Sequence, residues 1–461
     1  MSGLIASPYT NKEVPFRFRG IDFSFALSQG LFSSADIDRG TRLLLKVFSR
    51  VLDEDIAAKR PLPRRVLDAG CGIGVIGICV ARTLAATGDA AGATRPPIRV
   101  RCQDRDELAR LFTLENAGQN GIGDPIIFSA HTEPLLSCEP GENFDLILSN
   151  VPAKAGTPVL EDFVGRSIGL LAPGGRAAIV VVNTLAGFFR TAISDCPDAR
   201  LIREEAGAEH TVFVYNPAGQ AVYATVEAAP NTGPAEQALL ERYPFYLRGS
   251  ASYEMEGLGY HIDAVHGAAE FDSPSMAVEA AVKLLCRLGP EKLFARGSSG
   301  AVLIHEGGQG HFPVWLLKLL EQRDLPDLSI LVLHGRNILG LEAARHNIAP
   351  HQVRIVPGVD LGLDWEPLLT AAATAGGPAS MPGYGFIAAF PQSVPQTDRN
   401  DSIWEGLKNL LLPGGTAILA FPSTEADRFN KRKPSGFTRL GDLKRQGFRA
   451  LAYEGPHKRP V

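Results

Sequence analysis

The sequence predicts a tandem α/β protein of two halves, each a mainly parallel sheet of seven strands with helices on both faces. Three observations lead there. A glycine-rich turn joins a short apolar run to a helical one within Arg64 to Ile78, R-R-V-L-D-A-G-C-G-I-G-V-I-G-I. Apolar runs of strand length then alternate with helical patterns as far as T-V-F-V-Y, ending at Tyr215, and such alternation implies parallel strands joined by covering helices. The same landmarks then return in the second half, with Gly72 recurring as Gly308 and Gly74 as Gly310, both 236 residues on.

Residues 1–15 read as a lead-in. From Phe16 the run F-R-F-R-G-I-D-F-S-F-A-L alternates as a half-exposed strand or hairpin does. After Gly30, the run L-F-S-S-A-D-I-D-R-G-T-R-L-L-L-K-V-F predicts a helix that Asp38 or Thr41 can cap, with Leu44, Leu45, Val47 and Phe48 as its apolar face. Val66 and Leu67 end the strand that enters the glycine turn, and the helix leaving it starts near Val75 and extends to about Leu84. Ala85 to Pro97, rich in Ala, Gly, Thr and Pro, reads as a surface loop. I-R-V-R-C-Q is the next strand, ending at Asp104, with a helix through Asn116. P-I-I-F-S-A and F-D-L-I-L-S follow, the latter ending at Asn150. A helix over Leu160 to Leu171, a turn A-P-G-G, a strand R-A-A-I-V-V-V and a last pair of strands flanking A-G-A-E-H complete the half.

With 461 residues, 45% of them hydrophobic, the chain can fill the cores of two or three domains. Apolar runs stay short of the ~18 residues that span a bilayer, and the first residues lack a signal peptide's apolar core, so the expected location is the cytoplasm, without a membrane partner. The net charge of −4 divides as −3 over residues 1–229 and −1 over the remainder, which leaves any RNA contact to a local patch. Six cysteines, Cys71, Cys79, Cys102, Cys138, Cys196 and Cys286, form no C-x-x-C pair, and reduced thiols are expected in place of disulfides or a metal site.

The second half follows a linker at Ala228 to Glu236, and the expected domains are residues 1–228 and 237–461. Besides the glycines, L-L-L-P-G-G-T-A-I-L-A recurs where L-L-A-P-G-G-R-A-A-I-V stood. A-R-H-N follows where Asn116 stood, but the residues assigned to the chemistry do not recur. Ile304 replaces Asp68, Glu306 replaces Gly70, Gly335 replaces Asp104, and Ala389 to Gln392 (A-F-P-Q) replaces S-N-V-P, so the second copy reads as a degenerate fold that serves as a lid or a substrate surface. Near its end stand Arg428, Lys431, Arg432, Lys433, Arg439, Lys444, Arg445 and Arg449, a run that can grip phosphates or form a solvated face.

The chemistry sits in the first half. Gly70, Gly72 and Gly74 remove the Cβ atoms that keep a ligand off the backbone. Gly72, Gly74 and Gly77 satisfy a dinucleotide spacing, and no Lys followed by Ser or Thr marks a phosphate loop. Asp68, at the strand end, suits a cationic amino-acid group better than a phosphate. Asp104, ending the second strand, can accept hydrogen bonds from both ribose hydroxyls, with Asp106 as the local rival and a helix cap as the plainer role. Ser149 to Gly156, S-N-V-P-A-K-A-G, lies at the carboxyl edge of the sheet, where Asn150 and the turn stiffened by Pro152 offer a side-chain oxygen and a backbone carbonyl. Two such acceptors hold the protons of a planar amino group and aim its lone pair at an electrophile.

V-L-D-A-G-C-G-I-G, Asp104 with Asn116, S-N-V-P-A-K-A-G and A-P-G-G together resemble a class I S-adenosylmethionine-dependent methyltransferase of Rossmann-like fold. The preamble Q-G-L-F-S-S-A-D-I-D-R-G-T-R-L-L-L resembles the methyltransferase small-domain family, which includes ribosomal RNA guanine-N2 methyltransferases. The resemblance covers residues 20 to about 216 well. It implies that Gly70, Gly72 and Gly74 line the methionine part of S-adenosylmethionine, that Asp68 lies near its amino group, that Asp104 binds the ribose, and that Asn150 and Pro152 present the target amine. Two departures stand out: Val151 and Ala153 occupy places where the family usually has Pro and an aromatic ring, and the half with intact motifs comes first, whereas the ribosomal RNA enzymes have it second. The expected activity is methyl transfer to an exocyclic amino group, with guanine N2 of ribosomal RNA as the leading acceptor. The alternatives are a protein glutamine amide, a small molecule, or a non-catalytic cofactor- or RNA-binding scaffold.

Overall fold

The computed structural model describes residues 7–89, 96–139, 141–219, 238–270, 272–294, 301–373 and 382–457. The chain divides into two compact units: Met1–Gln237 with Glu241–Phe245, and Ala238–Leu240 with Tyr246–Val461. The linker expected at Ala228 to Glu236 lies outside the described residues.

In the first unit, an antiparallel hairpin of β1 (Lys12–Phe18) and β2 (Ile21–Leu27) precedes α1 (Arg39–Ala57). Asp38 caps α1, its Oδ1 accepting from the backbone N–H of Gly40 at 2.8 Å and of Thr41 at 3.2 Å, which decides between the two expected caps. There follow β3 (Arg65–Ala69), α2 (Val75–Asp89), β4 (Ile98–Asp104), α3 (Glu107–Gln119), β5 (Ile126–Thr132), β6 (Phe144–Asn150), α4 (Thr157–Gly169), β7 (Leu171–Val182), α5 (Asn183–Asp195), β8 (Ala199–Ala206) and β9 (His210–Pro217). The sheet runs β5-β4-β3-β6-β7-β9-β8, with every pair parallel except those of β9. Both faces are packed: Val66, Ile147, Ile179, Phe163 and Phe189 are all but sealed from solvent, and each such side chain contributes about 1.5–3 kcal/mol of burial.

Three expectations are corrected here. α2 continues through Ala85 to Asp89 instead of yielding to a loop at Ala85, because Ala-rich segments keep a helix going. The A-P-G-G run lies inside β7, where the pairing with β6 shifts register between Phe144 and Leu146. A Cβ on Gly175 would come within 2.9 Å of the carbonyls of Ala172 and Phe144, so the irregular step requires glycine. Helix α5 was not expected at all. Its first residue follows a valine run directly, and its N-cap, Val182, supplies no side-chain hydrogen bond that would mark the start.

The second unit repeats the plan. It comprises α6 (Leu239–Arg242, which straddles the division), the hairpin β10 (Leu247–Met255) and β11 (Leu258–Val265), α7 (Met276–Leu288), α8 (Pro290–Phe294), β12 (Ala301–His305), α9 (His311–Gln322), β13 (Ile330–Gly335), α10 (Ile338–Asn347), β14 (Val353–Pro357), α11 (Trp365–Ala373), β15 (Tyr384–Ala389), α12 (Asn400–Leu410), β16 (Leu411–Pro422), α13 (Ser423–Lys431), β17 (Thr438–Arg445) and β18 (Phe448–Glu454). Its sheet order, β14-β13-β12-β15-β16-β18-β17, matches that of the first unit strand for strand. The tandem seven-stranded architecture is as expected.

Candidate functional site

The site is built where the first sheet changes direction. The chain lays β4 and β5 to one side of β3 and then returns to place β6 on the other, which opens a crevice at the carboxyl ends of these strands. β3 is paired with β4 (Asp68 opposite Cys102) and with β6 (Asp68 opposite Leu148). The glycine turn therefore emerges between Asp104, which ends β4, and Asn150, which ends β6.

Gly70, Gly72 and Gly74 have φ of +76°, +57° and +85°. A Cβ on Gly72 would meet nothing within 4 Å, so the turn is open above that residue, whereas at Gly74 it would press on Thr113 Cγ2 at 2.9 Å. The turn is held from below. Thr113 Oγ1 donates to Gly72 O at 3.0 Å, and Asn116 Nδ2 donates to Ile73 O at 2.9 Å while its Oδ1 accepts from Ala26 N at 2.8 Å. Asn116 thus fastens the turn to the β1–β2 hairpin, a role that its spacing from Asp104 did not reveal.

Asp68 lies beneath the turn and is fully buried. Its Oδ2 accepts from Gly77 N at 2.8 Å, while its Oδ1 is buried without a partner. Burial raises its pKa to about 7, the Gly77 N–H opposing and the Asp104 charge adding to the rise. Asp104 is half-buried. Its Oδ2 accepts from Gly72 N at 3.0 Å and its Oδ1 from Asp106 N at 3.1 Å, and burial, with Asp106 nearby, raises its pKa. A carboxylate has about four acceptor positions, so two remain for a diol. Asp106 caps α3 by accepting from Leu108 N at 2.9 Å, which is the plainer of the roles weighed for these two acids.

Across the crevice, Ser149 Oγ donates to Ala69 O at 2.7 Å and ties the end of β6 to the end of β3. Asn150 is half-buried. Its Nδ2 donates to Asp38 Oδ2 at 3.1 Å and to Thr41 Oγ1 at 3.2 Å, two partners that sequence spacing did not disclose. Pro152 and Ala153 are exposed, Val151 is buried, and the Pro152 carbonyl accepts from Ala155 N at 3.1 Å, closing the turn.

In the second unit the corresponding edge is filled by side chains. Glu306 stands at φ +56°, and its Oε1 accepts from Arg336 N at 2.9 Å and its Oε2 from Gln392 Nε2 at 3.1 Å. Below it, His305 and His334 approach Nδ1 to Nδ1 at 2.9 Å. Much of the basic run is paired within the unit: Arg432 with Asp398 and Asp401, Arg439 with Asp442, Arg445 with Glu279, and Arg449 with Asp427 and Asp442. All six cysteines are free, four of them buried. Among the described residues no group of three or more His, Cys, Asp or Glu is gathered to hold a metal, and no helix is long and apolar enough to cross a membrane.

A sheet of this order, with a glycine turn set between an acid at one strand end and an amide at the next, defines a methyltransferase-type α/β domain. The chain belongs to the methyltransferase small-domain family: the profile of that family, the methyltransferase small domain, matches residues 22–191. The uncharacterized protein YbxB of Bacillus subtilis is 31% identical over 173 residues, which span 37% of this chain and 75% of YbxB. A ribosomal RNA small subunit methyltransferase C from Hamiltonella defensa is 30% identical over 178 residues, 38% of this chain and 45% of that relative. A ribosomal protein L11 methyltransferase from Syntrophotalea carbinolica is 30% identical over 154 residues, 33% of this chain and 42% of that relative. The chain thus matches under half the length of these two named enzymes. Among solved structures, the T. thermophilus 16S rRNA N2 G1207 methyltransferase, in complex with AdoMet and guanosine, shares the fold over 96% of this chain and 98% of that one, with a TM-score of 0.59 at 16% identity.

Proposed function

We propose that the first unit transfers a methyl group from S-adenosylmethionine to an exocyclic amino group of RNA, with guanine N2 of ribosomal RNA as the acceptor, and that the second unit binds no cofactor. The observation that carries this reading is the Ser149 to Ala69 hydrogen bond of 2.7 Å, which fixes the acceptor loop of Asn150 beside the glycine turn. Support for the acceptor comes from the names of the relatives and from the whole-chain likeness in fold.

The donor supplies an electrophilic methyl on a sulfonium, which needs a nucleophile in line and no strong base. The chain's own residues do the positioning. The backbone at Gly72 leaves room for the donor's amino-acid end, and the open acceptor positions of Asp104 suit the two ribose hydroxyls. Asp68 has no exposed surface and bonds the Gly77 N–H, so it serves the donor site by supporting the turn and not by direct contact. Asn150 Oδ1 and a carbonyl of the turn closed by Pro152 accept hydrogen bonds from the two N–H groups of the amine. The lone pair forms the new N–C bond as the C–S bond breaks, its electrons stay on sulfur, and one proton leaves the nitrogen to solvent.

Incubation with labelled S-adenosylmethionine and either total RNA or protein extract tests the reading. Label in RNA is expected. Label in protein alone would move the acceptor to a protein amide, and none in either would leave a scaffold. Asn150→Ala is expected to abolish transfer while calorimetric affinity for S-adenosylmethionine is kept; full transfer by that variant would remove Asn150 from the mechanism.

A further inference from the structure

A side-chain amide has two faces, and only its oxygen can accept a hydrogen bond from a target amine. With its NH2 group turned toward the substrate, Asn150 would oppose donor to donor. Something must choose the face, and the choice lies 112 residues away in sequence. We infer that Asp38 and Thr41 are positioning residues that hold Asn150 with its oxygen toward the acceptor substrate. This inference rests on the reading of Asn150 as the amine acceptor.

The geometry leaves one arrangement. Asp38 Oδ2 stands 3.1 Å from Asn150 Nδ2, and an ionised carboxylate can only accept, so the NH2 group must face it. The second amide proton goes to Thr41 Oγ1 at 3.2 Å. With both protons committed, Oδ1 alone is presented. Asp38 is itself immobilised, because its other oxygen takes the Gly40 and Thr41 N–H groups at the start of the 19-residue helix α1, where the helix dipole favours a negative charge. Gly40 makes the approach possible. A Cβ there would lie 2.9 Å from His210 Cδ2 and 3.0 Å from Asp38 Oδ1. Each residue of the D-R-G-T stretch except Arg39 therefore has a part: Asp38 orients, Gly40 gives clearance, and Thr41 completes the pair of acceptors. A carboxylate bonded to the amide N–H also polarises it, which leaves Oδ1 a stronger acceptor as positive charge develops on the target nitrogen.

The role of cap and the role of orienting group can be separated. Asp38→Asn keeps a good N-cap, but the introduced amide offers Asn150 a donor where a carboxylate stood, which favours the reversed face. Asp38→Ser also keeps a cap and is too short to reach Asn150. For both, the maximal rate of methyl transfer to total RNA is expected to fall on the order of a hundredfold, as when one preorganised hydrogen bond in an active site is lost. The dissociation constant for S-adenosylmethionine should stay within about twofold and the melting temperature close to wild type, as a retained cap implies. Thr41→Val should lower the rate by less, and Thr41→Ser should restore it. Wild-type rates in Asp38→Asn and Asp38→Ser, alongside an inactive Asn150→Ala, would overturn the positioning role and leave the function standing. Full activity of Asn150→Ala would overturn both.

Discussion

At the scale of single residues, the acids around the turn differ in what they face. Asp68 is sealed in, with one oxygen on Gly77 N–H and the other unmet, and its pKa rises to about 7. A carboxyl whose folded pKa exceeds its unfolded value of about 3.9 contributes stability that is complete below pH 4 and is lost as pH climbs to 7. Asp68→Asn cannot ionise and can keep the Gly77 bond. Urea unfolding at pH 4, 5.5 and 7 should therefore show wild type losing stability relative to Asp68→Asn across that window, by up to about 4 kcal/mol. Parallel curves at all three pH values would mean that Asp68 carries no such penalty. The glycines of the turn were legible from sequence because Gly72 combines a positive φ with open space above it, a combination that other residues adopt poorly. Asp38 was legible only as a possible helix cap. Its second partner, Asn150, is brought near by the fold of the sheet, and spacing along the chain says nothing of it.

At the scale of elements, the third glycine of the dinucleotide-like spacing serves packing. A Cβ on Gly77 would fall 2.5 Å from Cys102 Sγ and 3.1 Å from Asp68 Oδ2, so α2 sits on β3 and β4 more closely than alanine permits. Gly77→Ala should destabilise the first unit by about 1–3 kcal/mol, because overpacking outweighs the gain in helix propensity. Denaturant midpoints would check it, and an unchanged midpoint would show that the helix can lift away freely. Strands were readable where an apolar run stood between turns, as in F-D-L-I-L-S. Elements failed to show where local signals ran together. The end of β7 passes into α5 without a capping side chain, and the P-G-G of β7 mimics a turn although its glycines sit at an irregular step within a continuous strand. The same step recurs at Gly415 in β16, where a Cβ would approach Leu412 O at 2.9 Å, so the duplication preserved even this defect.

At the scale of the whole molecule, two copies of one architecture have taken different courses. The strand order is shared, yet Glu306 and Gln392 bridge the edge of the second sheet that the first leaves open above Gly72. One S-adenosylmethionine per chain is therefore expected in calorimetric titration, and Asp104→Ala should weaken that site strongly. Two equivalents bound, or one that survives the substitution intact, would show that the second unit retains a donor site. The duplication was legible because glycines and apolar runs persist when the polar groups between them change. The fate of the basic run was not, since its acidic partners Glu279, Asp398 and Asp401 lie outside it in sequence. The hydroxyl of Ser149 has a consequence of its own. By stitching two neighbouring strands together at the floor of the crevice, it makes the spacing between the glycine turn and Asn150 a property of the sheet, not of any loop. On the proposed reading, Val151 to Gly156 can then be rewritten for a new recipient while that spacing is inherited unchanged.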